Sequence, residues 1–96
     1  MWNFLSGKGK SMQSFQYKIT ESEKTCEYRA GLLAREAMKF TSSISIDNKD
    51  RTGDAKRFFS LAGLKLEKGN EVTVETEGED EARAAVCLSD FFRKNL

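Results

Sequence analysis

The segment KGNEVTVETEGEDE, residues 68–81, combines a turn, a strand and the approach to a helix. Lys68–Asn70 has the Gly/Asn composition of a tight turn. After it, Val72 and Val74 alternate with polar residues, which is the pattern of a strand with one buried face. The segment therefore predicts a sheet with one face buried against the core and the other face exposed to solvent.

A helix is predicted to follow this strand, from Asp80 to Lys94. Its first residues are acidic and its last residues are basic, the distribution that the helix dipole favours. Its apolar positions recur at helical spacing. They are Ala84, Ala85, Leu88 and either Phe91 or Phe92.

The rest of the chain alternates between segments with the period of a strand and segments with the period of a helix. Strands are predicted at SFQYKIT (14–20), at SSISID (42–47) and near Arg51–Gly53, the last two joined by an Asn48–Asp50 turn. An amphipathic helix is predicted from about Glu27 to Ser42, with Gly31 present for close packing, and a short helix from Asp54, as its N-cap, to about Ala62 or Gly63. The order strand, helix, strand, strand, helix, strand, helix predicts an α+β fold, with one antiparallel sheet covered on one face by helices.

Composition excludes several classes of function. The 96 residues suit one domain, and the net charge of +1 argues against nucleic acid or an anionic membrane as partner. No apolar run is long enough to span a membrane. Cys26 and Cys87 lie far apart, which suits a reducing compartment better than a disulfide-bonded scaffold, so we expect a cytoplasmic protein. The absence of histidine excludes imidazole as a base, phosphoryl acceptor or metal ligand. We expect no metal and no cofactor.

Several stretches resemble the family of the histidine-containing phosphocarrier protein, HPr. They are AMKFTSSISI (37–46), DAK (54–56) and the opening segment KGNEVTVETEGEDE. The resemblance implies an HPr-like open-faced β-sandwich, in which a four-stranded antiparallel sheet carries three helices on one face (βαββαβα). It covers residues 12–96 and leaves residues 1–11 as an N-terminal extension.

Two alignments of the family's phosphorylation motif, Gly-Leu/Ile-His-Ala-Arg-Pro-Ala, compete. GLLAREA (31–37) is similar to it, with Leu33 at the histidine position, but this match needs an insertion and a compensating deletion. The gapless alignment keeps all the other stretches in register and places KTCEYRA (24–30) on the motif. Cys26 then takes the histidine position, and GLLAREA is an ordinary stretch of helix.

Further positions depart from the family pattern in the gapless alignment. Tyr28 replaces the motif arginine, Arg29 replaces the proline, and Arg57 replaces the regulatory serine before the second helix. The resemblance therefore implies a scaffold without the family's two phosphoryl acceptors. Thr25 or Cys26 is expected to cap the first helix, and Arg29 to add positive charge near its start.

The resemblance also implies a docking surface for partner proteins. Its expected residues are Cys26, Tyr28, Arg29, Arg57, Phe58, Phe59 and Ala62. Exposed aromatic side chains are typical interface anchors, although Phe58 and Phe59 could instead enlarge the core. We expect a non-enzymatic regulatory or protein-binding module, whose partners would be phosphotransferase-system or transcription-regulatory proteins, comparable with the catabolite-repression variant of HPr.

Two alternatives remain open. Cys26 is a candidate acceptor thiol, so the chain could instead be a phosphoryl carrier or redox protein that uses Cys26 in place of the histidine. The extension carries an apolar cluster, Trp2, Phe4 and Leu5, ahead of a Gly/Lys-rich stretch. This cluster could fold back on the domain, pair with a second copy in a homo-oligomer, or be disordered.

Overall fold

The computed structural model describes residues 12–96, and the predicted extension over residues 1–11, with its homo-oligomer contact, lies outside this range. The element order is the predicted βαββαβα. The strands are β1 (Gln13–Lys18), β2 (Ser43–Asn48), β3 (Arg51–Asp54) and β4 (Glu71–Glu77). The helices are α1 (Cys26–Ala37), α2 (Phe58–Ala62) and α3 (Glu81–Asn95).

All strand pairs are antiparallel, and the four strands form one sheet in the order β1-β4-β2-β3. The register places Val74 opposite Phe15 on one side and Ile46 on the other. Because directly opposed side chains share a face of the sheet, these residues point together into the core. The alternation that predicted the strands is confirmed, with Val72 and Val74 fully buried.

The helices cover this apolar face and leave the other face open. Phe92 of α3 is buried and packs edge-to-face on Phe15 and Tyr17, with ring centroids 5.8 and 5.3 Å apart. Edge-to-face pairs at this separation add to the free energy gained by burial alone. The α+β open-faced sandwich is therefore confirmed.

The first helix is shorter than predicted, because it ends at Ala37 and not at Ser42. After Met38, which is exposed, the amides of Thr41 and Ser42 donate to the carboxylate of Asp80, each over 2.9 Å. A helix through these residues would direct both amides to carbonyls within the chain segment itself. The contact with Asp80 replaces those bonds, so the helix does not extend through Thr41 and Ser42.

The second helix starts later than predicted, at Phe58, and Asp54 is not its N-cap. Asp54 is the last residue of β3, and its Oδ1 accepts from the amide of Lys56 at 2.9 Å. The Asp54 side chain therefore closes a local turn. Arg57 is the N-cap residue and makes no capping bond with its side chain.

Asp80 connects the start of α3 to the segment after α1. Its carboxylate accepts from the hydroxyl of Ser42, from the amides of Thr41 and Ser42, and pairs with Arg83 at 3.5 Å. The bond from the Ser42 hydroxyl first, and then the bond from the Thr41 amide, lower the pKa of Asp80 to about 2. Asp80 therefore stays ionised and holds two separate segments together.

Candidate functional site

Cys26 is the first residue of α1 and is half-buried. Thr25 precedes it as the N-cap, and its Oγ1 accepts from the Tyr28 amide at 3.0 Å. In contrast, Leu33 of the GLLAREA stretch is fully buried in the core. A buried leucine position cannot present an acceptor to a partner, so the geometry supports the alignment that places Cys26 at the histidine position.

Arg29 does not lie on an exposed surface, contrary to the sequence-based expectation. Its side chain is 4% exposed, and Nη1 donates to the Leu66 carbonyl over 2.7 Å. Its Nη2 donates to the Glu21 carbonyl over 2.7 Å and lies 3.2 Å from Glu21 Oε1. The guanidinium therefore holds the loops before α1 and before β4 together, because it turns inward to bind their carbonyls.

The carboxylate of Glu21 completes this arrangement. Burial raises its pKa, but hydrogen bonds from the amides of Glu23 and Lys24 and the charges of Lys24 and Arg29 outweigh this effect. The net result is a pKa below the ordinary value. Sequence reasoning missed this role of Glu21, although an arginine placed next to the core residue Ala30 was a signal that it would need a partner.

Phe58 and Phe59 both reach solvent, and neither belongs to the buried core. Phe59 is 86% exposed and Phe58 is 38% exposed, with ring centroids 5.3 Å apart in an edge-to-face contact. An added Cβ at Gly31 would lie 3.9 Å from Phe58, which places the Phe58 ring beside α1. The interpretation of this pair as extra core is therefore wrong, and Phe58 connects α2 to α1.

Tyr28 adds a third aromatic ring to this part of the molecule. It is 56% exposed and lies three residues before Gly31, on the same side of α1. Arg57 is exposed at the start of α2, whereas Ala62 is half-buried and packs against the core. We use the name α1–α2 surface for Cys26, Tyr28, Arg57, Phe58, Phe59 and Ala62.

The charges near the start of α1 are unfavourable for a bound phosphoryl group. Glu23 and Glu27 are exposed on either side of Cys26, and the guanidinium of Arg29 faces inward. Lys24 is turned away as well, with its Nζ 3.3 Å from the Asn95 carbonyl. The backbone amides of a helix start attract anions, but the flanking carboxylates oppose that attraction.

The second cysteine, Cys87, lies against the core of the described domain. It is half-buried on α3. Within residues 12–96, no cluster of His, Cys, Asp and Glu side chains is arranged to hold a metal ion. None of the helices described is long and apolar enough to cross a membrane.

The scaffold and the position of its candidate site define a phosphocarrier-type domain. The model of the PTS-HPr family, described as the PTS HPr component phosphorylation site, matches residues 13–94. The chain therefore belongs to the HPr family, which includes phosphocarrier proteins of the phosphotransferase system that are not themselves enzymes.

Individual relatives agree with this assignment. The chain is 39% identical over 74 residues to the phosphocarrier protein HPr of Buchnera aphidicola, covering 77% of this chain and 87% of that protein. It is 37% identical over 65 residues to the HPr-like protein Crh of Halalkalibacterium halodurans, covering 68% and 77% respectively. The crystal structure of HPr-C-His from Thermoanaerobacter tengcongensis superposes with a TM-score of 0.77 at 27% identity, covering 84% of this chain and 91% of that one.

Proposed function

We infer that this chain is a cytoplasmic, non-enzymatic protein-binding module of the phosphotransferase-system family that does not carry phosphohistidine. The observation that carries this proposal is the 86% exposure of Phe59 in contact with Phe58, whose ring lies beside α1, the helix that carries the exposed Tyr28. Large aromatic side chains exposed together are costly to keep in water and are typical anchors of protein interfaces. The α1–α2 surface is accordingly the proposed contact with a partner.

The chemistry of this surface favours a regulatory role over phosphoryl transfer. The chain has no histidine, and Arg57 stands where the family's regulatory serine is expected. A guanidinium cannot mimic a phosphoserine, because the two groups have opposite charge. The proposed partners are phosphotransferase-system or transcription-regulatory proteins, and a partner that offers carboxylates to Arg57 fits best.

A titration tests this proposal. The ¹⁵N-labelled protein is titrated with the general phosphotransferase enzyme, and we expect the amide signals of Tyr28, Phe58 and Phe59 to move. Phe59→Ala should weaken binding at least tenfold, a loss of about 1.4 kcal/mol. Val86→Ala is the matched control, because Val86 is 69% exposed but lies on α3. Equal weakening by both variants, or shifts confined to the open sheet face, would contradict the proposal.

The second candidate is a carrier or redox protein that works through the Cys26 thiol. The position of Cys26 at the first residue of α1, half-buried and next to the N-cap Thr25, supports this candidate. A thiol at a helix start can gain nucleophilicity from the helix dipole. The flanking Glu23 and Glu27 count against it, since both repel an incoming phosphoryl group. Rapid alkylation of Cys26 at neutral pH, compared with Cys87 in the same protein, would favour this candidate.

A further inference from the structure

The open face of the sheet is strongly acidic. On each strand the residues that alternate with the core positions point to this face. Carboxylates outnumber amines here: the acidic residues are Asp47, Asp54, Glu71, Glu75 and Glu77, and the basic residue is Lys18. The chain as a whole carries a net charge of +1, so the charge is unevenly distributed between the faces.

A groove of about 420 Å³ lies on this face at the start of β1. Its charged lining residues are Asp54, Glu75 and Glu77, opposed by Lys56. The amine of Lys56 donates to the Phe40 carbonyl over 2.7 Å and is thereby held toward the protein. The groove therefore keeps a negative charge that is open to a cation from outside.

The strand register spaces these carboxylates regularly. Glu75 lies opposite Ser45, and Ser45 lies opposite Asp54, so both acids flank Ser45 on one face. Adjacent strands are about 4.8 Å apart, which puts their backbones about 10 Å from each other. Glu75 and Glu77 follow one another on the same face of β4, about 7 Å apart along the strand.

The chain enters the described fold at this groove. Met12, which directly precedes β1, is one of the residues that line it and is 55% exposed. The preceding stretch, GKGKS (7–11), contains Lys8 and Lys10 and no acidic residue. In an extended chain these lysines point to the same side and lie about 7 Å apart, the spacing of Glu75 and Glu77.

We propose that residues 7–11 of this chain dock in the acidic groove, with Lys10 beside Glu77 and Lys8 beside Glu75. Gln13, which follows Met12, lies opposite Thr76 on the neighbouring strand, so Glu75 and Glu77 lie within about 10 Å of the start of β1. Lys8 lies four residues before Met12, and four extended residues reach about 14 Å. A second copy is a poorer occupant, because its own open face carries the same negative charge and the two would repel. The family match begins at residue 13, so this contact is a property of the chain and not of the scaffold.

The test uses the full chain labelled with ¹⁵N and compares it with the variant Lys8→Glu/Lys10→Glu. In the unmodified protein we expect amide order parameters above about 0.6 at residues 8 and 10, and values below this in the variant. The amides of Ser45 and Thr52 in the groove should shift on substitution. In 1 M salt, where the Debye length is about 3 Å, the unmodified protein should lose the same contact.

Two controls make the result specific. Lys65→Glu/Lys68→Glu introduces the same change in charge at exposed positions between α2 and β4 and should leave the groove amides unmoved. Adding Glu75→Lys/Glu77→Lys to the first variant should restore the ordered segment, because the charges are exchanged. Low order parameters at residues 8 and 10 of the unmodified protein would overturn the proposal. So would groove amide signals that do not shift in the variant Lys8→Glu/Lys10→Glu. Groove shifts that depend on protein concentration would also overturn it and assign the groove to a second copy.

Discussion

The guanidinium of Arg29 donates a 2.7 Å hydrogen bond to the carbonyl oxygen of Leu66. In the gapless alignment Arg29 takes the position of the proline in the HPr phosphorylation motif, and in the structure it joins the start of α1 to the segment before β4. The Arg29 side chain therefore stabilises the fold and does not face a ligand at the start of α1.

Arg29→Ala should lower the free energy of unfolding by about 2–4 kcal/mol, because it removes charged hydrogen bonds to two buried or half-buried carbonyls. Urea unfolding followed by circular dichroism measures the loss. The matched control is Arg35→Ala, since Arg35 is exposed on the same helix and should change stability by less than about 0.5 kcal/mol. Similar losses for both variants would show that Arg29 is not a structural tether.

Gly78→Ala should destabilise the protein by about 2–5 kcal/mol. Gly78 has a φ of 152°, and an added Cβ would lie 2.8 Å from Cα of Ser42, closer than real contacts allow. Gly69 has a φ of 93° but open space around it, so Gly69→Ala should cost only the backbone strain, about 1–3 kcal/mol. Thermal and urea midpoints of the two variants test this order, and a larger loss at Gly69 would refute it.

Gly31→Ala should stabilise the protein by about 1 kcal/mol, because alanine favours the interior of a helix over glycine. The expectation that Gly31 serves close packing is wrong, since an added Cβ would make an ordinary 3.9 Å contact with Phe58. The melting temperature should therefore rise while the affinity of the α1–α2 surface stays the same. A fall in melting temperature would mean that Phe58 cannot accommodate the methyl group.

The contribution of Asp80 to stability should depend on pH. Its pKa of about 2 in the folded protein lies below its ordinary value of 3.8, so the folded state favours the ionised carboxyl. The stabilisation is complete above about pH 4 and is lost as the pH falls through about 2. Asp80→Asn should thus be less stable than the parent at pH 6, with a difference that narrows on acidification.

Urea midpoints between pH 2 and pH 7 measure this dependence. Asp50→Asn is the control, because Asp50 is exposed in the turn between β2 and β3 and should shift the midpoint little at any pH. A constant difference between Asp80→Asn and the parent across the whole range would contradict the assignment of the low pKa to the contact with Thr41 and Ser42.

The periodicity of the sequence was sufficient for the elements and the sheet, because alternation at Val72 and Val74 reports directly on burial. The periodicity did not give the exact ends of the helices, because these ends depend on contacts between segments that are far apart in the chain. α1 does not extend to Ser42, because Asp80, far along the chain, binds the amides of Thr41 and Ser42. No pattern in the sequence near α1 indicates that Asp80 binds these two amides.

The candidate site was predictable to a similar degree. The sequence identified Phe58 and Phe59 as candidate interface anchors but left open that they enlarge the core, and the structure exposes both rings. The prediction that Arg29 lies on the exposed surface was wrong. Its position one residue after Tyr28 turns it toward the core, where it donates to the carbonyls of Glu21 and Leu66. A cation that faces inward looks the same in sequence as one that faces a ligand.

A phosphoryl-transfer assay tests the central claim most directly. The protein is incubated with phosphoenolpyruvate and the general phosphotransferase enzyme, and its intact mass is measured at neutral pH beside Cys26→Ala and a histidine-containing HPr. We predict that the HPr gains a phosphoryl group, whereas this chain, still folded by circular dichroism, gains none. A phosphoryl group on this chain that is absent from Cys26→Ala would contradict the account and show that Cys26 has replaced the histidine as acceptor.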